Sequence, residues 1–335
     1  MYSKTISVLL AISTLLEVTQ SKLVGMAYYT WFTPGRRACQ WGTPQLGNYA
    51  SDDRGVMRKH AEWLKSAHID FVVVDWSNDI CCSAQSDWNG RQDLKGLELN
   101  TIALFEEWSK IAGAPKIAIM VGSPSDPSVY HSWDAMRIKL DSIVGMILQR
   151  NDIKNQYFHY EQKPFVLDYV GTPSPFTNPV WNQDNRFTVR HVTGFVSNQP
   201  QLRDGDYSKY GYWSWEDRSL QTRTNEVTTV QVAWRGDPCG WNCGNDRRGR
   251  ENGNTYRERW AHAKQIGAQI VFIPSFNQWI GCPAQPGENM NAEFSTDIEP
   301  SQEHGTLYLD ITREQAAQFK GIHHKAKQHH LDIEQ

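Results

Sequence analysis

No block of like charge stands anywhere in this sequence. Its 34 lysines and arginines are spread among 37 aspartates and glutamates, for a formal net charge of −3. Nucleic-acid binding needs a clustered basic footprint and is not expected. Past the N-terminus no apolar run approaches the length of a membrane span, so no membrane partner is expected either. The chain has no Asn-x-Ser/Thr acceptor for N-glycans. It also lacks a Gly-x-Ser-x-Gly elbow, a phosphate loop and a dinucleotide fingerprint. Those absences argue against a nucleophile-elbow hydrolase, a nucleotide hydrolase and a nicotinamide enzyme, and the expectation is an enzyme without an organic cofactor. No Ser/Gly- or Pro-rich linker, internal repeat or low-complexity tract divides the 335 residues. They read as one large domain and a monomer.

Cysteine is sparse: Cys39, Cys81, Cys82, Cys239, Cys243 and Cys282. The N-terminus suggests their compartment. Lys4 precedes an apolar run from Ile6 to Leu16, and Thr19-Gln20-Ser21 follows with small residues at cleavage spacing. That is the pattern of a secretory leader, so residues 1–21 are expected to be removed and residues 22–335 to be secreted and extracellular. An even cysteine count in an exported chain favours disulfides, with Cys239 and Cys243 placed to close a small loop around Trp241. The pairs lack zinc spacing, and no metal is expected.

Apolar content of 39 %, with Phe, Trp and Tyr at 12 %, is ample for a core. Short apolar runs at 23–29, 71–75, 116–121, 165–169, 187–192, 211–215, 227–234 and 269–273 read as strands. Amphipathic segments at 53–67, 100–111, 132–150, 255–266 and 312–328 read as helices. In the first, Val56, His60, Trp63 and Leu64 recur at helical spacing. Phe71-Val72-Val73-Val74 is a continuous run, as in a parallel strand covered on both faces. Eight strands alternating with helices imply a (β/α)8 barrel, an α/β fold with long loops after the strands. Between 173 and 223 helix is weak, and 236–253 reads as a long insertion.

Such barrels carry their chemistry at the C-terminal strand ends. There the sequence puts Tyr28, Tyr29 and Trp31, then Asp75-Trp76, Asp168-Tyr169, Trp213-Ser214-Trp215-Glu216, Trp234-Arg235 and Asn277-Gln278-Trp279. Flat rings stack on sugar faces, while acids, amides and guanidinium groups bond hydroxyls. Core packing is the plain alternative for any one tryptophan, and Trp63 and Trp108 on helix faces take it. Collectively the strand ends predict one sugar-binding mouth. Hydrolysis of a glycosidic bond needs two carboxyl groups, and the candidates are Asp75, Asp168, Glu216, Asp217, Glu293, Asp297 and Glu299. His323-His324 and His329-His330 read as a solvated helix face.

Together these residues resemble the endo-α-mannosidase-like barrels of glycoside hydrolase family 99, with a likeness to family 71. The resemblance rests on Tyr28-Tyr29-x-Trp31-Phe32, Gly47-Asn48-Tyr49-Ala50-Ser51, His60, the run from Ile69 to Trp76, Ser275-Phe276-Asn277-x-Trp279 and Ile298-Glu299-Pro300. It implies the same barrel and a carbohydrate substrate. The family pattern, Asn-Glu-Trp-x-Glu-Gly-Thr-x-Ile-Glu-Pro, places Gln278 where its first Glu assists through the sugar 2-hydroxyl. An insertion follows Trp279, and the second Glu, the acid/base, maps onto Glu293. The resemblance therefore implies Glu293 as acid, with Asp75 and Glu216 as candidate partners. Tyr28, Tyr29, Trp31, Trp76, Asp168, Trp213, Trp215, Trp234, Arg235, Asn277, Gln278, Trp279, Asp297 and Glu299 would line the sugar site. The rival expectation is a secreted carbohydrate-binding barrel that has lost catalysis, because an amide cannot act as a general base.

Overall fold

The apolar runs become the staves of a parallel barrel. A computed structural model describes residues 21–32, 40–77, 94–123, 133–170, 184–193, 213–215, 226–234, 247–279 and 291–322. The expected leader, all six cysteines, Glu216, Asp217, Arg235 and the histidine pairs near the C-terminus lie outside those residues. In chain order come β1 (Leu23–Tyr28), α1 (Arg54–Ser66), β2 (Phe71–Trp76), α2 (Leu94–Trp108), β3 (Lys116–Ser123), α3 (Trp133–Ile143), β4 (His159–Tyr160), β5 (Lys163–Val170) and β6 (Thr188–Thr193). They continue with β7 (Trp213–Ser214), β8 (Val227–Thr229), α4 (Asn254–Gln265), β9 (Ile270–Ile273) and α5 (Leu307–Lys320). The ladder runs β7-β6-β5-β3-β2-β1-β9-β8, parallel throughout, and β4 adds a short antiparallel hairpin to β5. At the seam between β7 and β8 the Thr229 hydroxyl donates to the Ser214 carbonyl at 2.5 Å. The eight predicted strands and the (β/α)8 architecture are thus present. The run at 227–234 is shorter than expected as a strand. After Thr229 it continues through one bond, Val230 N–H to Phe272 O at 2.9 Å, to a two-bond bridge between Trp234 and Arg248, a residue within the expected insertion.

Alternation along the strands divides the apolar residues into two cores. Ala27, Phe71, Val73, Ala118, Met120, Phe165, Leu167, Trp213 and Phe272 fill the inside. Met26, Val72, Val74, Ile119, Val166 and Val271 face outward to α1, α2 and α5. The foot of the barrel is plugged by rings, with Phe71 stacked on Phe158 at 4.0 Å. Gly25 makes room there, since a Cβ would lie 2.2 Å from the Phe71 ring.

Helix α1 begins where Asp53 Oδ1 accepts from Gly55 N–H at 2.8 Å and Val56 N–H at 3.1 Å, a side-chain cap. Met57, His60, Ala61 and Leu64 form its buried stripe. The phase is close to the predicted one, with Val56 and Trp63 at its margins. No helix among the described residues is long and apolar enough to cross a membrane.

Candidate active site

Strand alternation sorts the predicted site residues, and it separates neighbours that the sequence reading had placed in one mouth. Tyr28, Trp76 and Asp168 point outward, away from the barrel lumen. Trp76 is fully buried in the outer core, its indole donating to Thr101 Oγ1 at 2.9 Å. Asp168 is buried with its Oδ2 2.9 Å from His191 Nδ1. Trp213 does point inward, but it lies below the mouth between Phe165 and Phe272, each 5.5 Å away centroid to centroid. Trp234 is buried under the Arg259 guanidinium at 4.7 Å. None of these five lines an open cleft.

The inward residues at the strand ends are Tyr29, Asp75, Tyr169 and Trp215. Tyr28 and Val74 are paired in register, so Tyr29 and Asp75, one residue further along, stand side by side on neighbouring strands. Tyr29 meets Trp31 edge-on at 5.8 Å and Trp215 at 6.4 Å. Asp75, Trp31 and Tyr169 are each half-buried. Asp75 Oδ1 accepts from Ser77 N–H at 2.8 Å. No cation pairs with it among the described residues, and burial, opposed only by Ser77, raises its carboxyl above the ordinary range. Gly122 on β3 lets the Ser77 backbone come close, because a Cβ there would lie 2.0 Å from the Ser77 carbonyl oxygen. Among the described strand residues, Asp75 is the one carboxylate on the inner face at the mouth.

Beyond β9 the pairing with β1 continues through a side chain. Phe276 N–H donates to Ala27 O at 2.9 Å. The Asn277 amide then grips the Tyr29 peptide, accepting from its N–H at 2.9 Å and donating to its carbonyl at 3.0 Å. This clasp turns Gln278 toward the lumen. Its Oε1 lies 3.3 Å from the Tyr29 hydroxyl and 3.4 Å from Thr296 Oγ1, both donors. Its Nε2 bonds no described residue. Trp279, in contrast, is buried under the segment at 40–50, whose Trp41 N–H donates to the Trp279 carbonyl at 3.1 Å. Trp279 supports the site from behind and is not a sugar platform.

Glu299 is buried as well, in a cluster outside the barrel wall. Its Oε1 lies 2.9 Å from His60 Nε2, and its Oε2 accepts from the Tyr49 hydroxyl at 2.7 Å and the Trp279 indole at 2.5 Å. The Tyr28 hydroxyl lies 2.7 Å from His60 Nδ1. Burial first, then the Glu299 charge, pushes the Tyr28 and Tyr49 phenols well above their usual range. Asp297 accepts from the Trp41 indole at 2.8 Å, and its Oδ2 is 3.4 Å from the buried Arg250 guanidinium. Burial raises the Asp297 carboxyl and Arg250 opposes the shift.

Glu293 is exposed, and its Oε1 accepts from Glu251 N–H at 2.8 Å in the turn that leads into α4. Negative charge is stabilising at a helix N-terminus, so this carboxylate is engaged outside the Tyr29, Asp75 and Gln278 group. Thr296, Trp41 and Arg250 are not among the residues the sequence points to, Tyr49 enters there only through its motif, and Tyr169 only as a strand-end neighbour of Asp168. Tyr49 stood in the Gly-Asn-Tyr-Ala-Ser motif, and Tyr169 follows Asp168 at a strand end. Arg250 and Trp41 carried no local signal.

No protein-family model matches the chain, and no curated protein matches it. Solved structures do. A GH99 endo-α-mannosidase from Bacteroides thetaiotaomicron in complex with BIS-TRIS-propane matches with a TM-score of 0.61 at 17 % identity, covering 89 % of this chain and 97 % of the other. Another structure of that enzyme gives 0.57 at 16 % over the same shares. A glycoside hydrolase-like protein gives 0.53 at 15 %, covering 94 % and 97 %. At such identities the likeness is one of fold, and the fold of this chain is that of the GH99-like (β/α)8 barrels.

Proposed function

We propose that the chain is a secreted glycoside hydrolase that takes a glycan into the C-terminal mouth of its barrel. Asp75 is the acid in this reading. One observation carries it: Asp75 is a desolvated, half-buried carboxyl with no cationic partner among the described residues, on the inner wall among Tyr29, Trp31 and Trp215. A carboxyl raised by burial stays protonated at higher pH and is suited to protonating a leaving glycosidic oxygen. Glu216, immediately after Trp215 in sequence, is the second carboxylate. Gln278 holds a sugar hydroxyl or water through its Nε2, which bonds no described residue. Glu293 is left out because its carboxylate serves the start of α4.

A second reading has its own support. Gln278 is an amide at the mouth, and one described inner-face carboxylate is fewer than glycosidic hydrolysis uses. On that basis the mouth binds a glycan without cleaving it.

Release of reducing ends, resolved by mass, decides between them. Because the fold neighbours include endo-α-mannosidase structures, an α-mannan heads the panel, followed by other neutral and acidic polysaccharides. Product that disappears in Asp75→Asn and persists in Glu293→Gln supports the hydrolase. Cleavage that survives Asp75→Asn sinks the acid assignment. Saturable binding with no product from any polysaccharide establishes the second reading.

A further inference from the structure

His60 lies outside the mouth, fully buried on the inner stripe of α1, and the mechanism above does not use it. Its surroundings are more organised than packing requires. Tyr28 and Phe276 stack at 6.0 Å, Phe276 meets the imidazole edge-on at 4.9 Å, and Trp63 and Tyr49 lie at 5.9 and 5.4 Å. Both ring nitrogens are engaged, Nδ1 with Tyr28 and Nε2 with Glu299. In the tautomer with the proton on Nε2, Tyr28 donates to His60 and His60 donates to Glu299, so every polar hydrogen of the cluster finds an acceptor. Burying a carboxylate and an imidazole together costs more than filling the space with an aliphatic side chain.

Glu299 Oε2 takes two donors, the Trp279 indole and the Tyr49 hydroxyl. Tyr49 in turn lies 3.4 Å from Asn277 Nδ2, the nitrogen that also donates to the Tyr29 carbonyl. Tyr29 then reaches Gln278 Oε1 with its hydroxyl. The bonds therefore run without a gap from α1 to the amide in the lumen. They involve both faces of β1: Tyr28 starts the chain on the outside and Tyr29 ends it on the inside. We propose that His60 is a positioning residue for the mouth, which, by fixing the Glu299 carboxylate, sets the Trp279 indole, the Tyr49 hydroxyl and through them the Asn277-Gln278 turn. The catalytic part of this inference rests on the glycan-hydrolase reading; the positioning itself does not.

The two parts are tested together. In the full chain with 15N-labelled tryptophan indoles, the Trp279 resonance is assigned by its loss in Trp279→Phe. His60→Gln places an amide N–H within reach of Glu299, whereas the shorter His60→Asn does not. The Trp279 indole signal is expected to stay near its wild-type position in His60→Gln and to move in His60→Asn. On whichever polysaccharide the wild type cleaves, kcat should fall about 10–100-fold in His60→Asn, the scale of a small misplacement at a reacting centre, and recover most of that in His60→Gln. If His60→Asn does not fold, Glu299→Gln takes its place and must displace the same indole signal. An indole signal that moves equally in both His60 variants, or in none, reduces His60 to a core filler. A wild type that cleaves no polysaccharide overturns the function above, while the indole signals still decide the positioning.

Discussion

Arg190 on β6 and Glu226 at the foot of β8 meet inside the barrel through two parallel hydrogen bonds, Nε to Oε2 at 2.8 Å and Nη2 to Oε1 at 2.9 Å. Between them lies β7, whose Trp213 indole donates to the same carboxylate at 3.3 Å. The pair spans the stretch where the ladder is shortest, since β7 contributes two residues to it. A bidentate guanidinium–carboxylate pair supplies there the geometry that backbone pairing supplies elsewhere. Removing Glu226 takes away both parallel bonds and leaves the buried guanidinium with the more exposed Glu161, whose Oε2 lies 3.2 Å from Nη2. Glu226→Ala is therefore expected to cost about 1–3 kcal/mol, less than a buried charge left with no partner, and Glu226→Gln, which keeps an acceptor, less still. Urea unfolding of both variants measures it; equal and small losses would show that the seam does not depend on the pair.

Asp75 gives a pH signature. Burial raises its folded carboxyl above the ordinary value of 3.8, so the folded chain holds this proton more tightly than the unfolded one. Stability from this group is complete at acid pH and is lost as the pH rises from the ordinary value through the raised one. Asp75→Asn escapes that loss. The variant should be more stable than wild type at about pH 7, and the gap should close as the pH falls to about 3. Urea midpoints across that range test the sign. A wild type more stable than Asp75→Asn at neutral pH would mean that the ionised carboxylate has a stabilising partner.

Gly122 and Gly25 separate function from stability. A Cβ on Gly122 would meet Ser77 backbone atoms at 2.0 and 2.7 Å, and Ser77 supplies the N–H that Asp75 accepts. A Cβ on Gly25 would first meet the Phe71 ring, at the far end of the barrel. Both alanine variants overpack and should lose about 1–3 kcal/mol. Assayed well below their melting temperatures, Gly122→Ala should lose glycan cleavage or binding as Asp75→Asn does, and Gly25→Ala should keep it. Equal activities in the two variants would detach the Ser77 turn from the site.

The barrel was legible because parallel strands covered on both faces read as unbroken apolar runs, such as Phe71 to Val74. The same property hid the site. A run apolar on both faces carries no phase, so the sequence could not say which of Tyr28 and Tyr29, Asp75 and Trp76, or Asp168 and Tyr169 turns inward. In each pair one faces the lumen and the other the helices. Distance along the chain hid the rest. Trp279 looked like a platform because nothing near it in sequence covers it, yet the stretch of chain at Trp41 and Gly42 lies against it. Glu293 matches the family's second Glu only across an insertion and one residue of slippage, and the backbone at Glu251 claims its carboxylate.

Gln278 offers the most direct test of whether the mouth can hold a second carboxylate. Two hydroxyls, from Tyr29 and Thr296, already converge on Oε1 at 3.3 and 3.4 Å. Gln278→Glu keeps both donors and exchanges an amide nitrogen that bonds no described residue for a second oxygen. The new carboxylate and Asp75 each neighbour Tyr29, one through its hydroxyl and the other through the strand register, and a pair of carboxyls at one cleft is what glycosidic hydrolysis uses, whether or not Glu216 also serves. A positioned acid or base contributes about 10²–10⁴-fold to such a reaction. Reducing-end release by Gln278→Glu should therefore exceed that of the wild type by at least the lower part of that range, over about pH 4–8 with the same polysaccharides. If the variant binds as wild type does and releases nothing at any pH, the missing charge at 278 is not what limits the chemistry, and the mouth is built for binding.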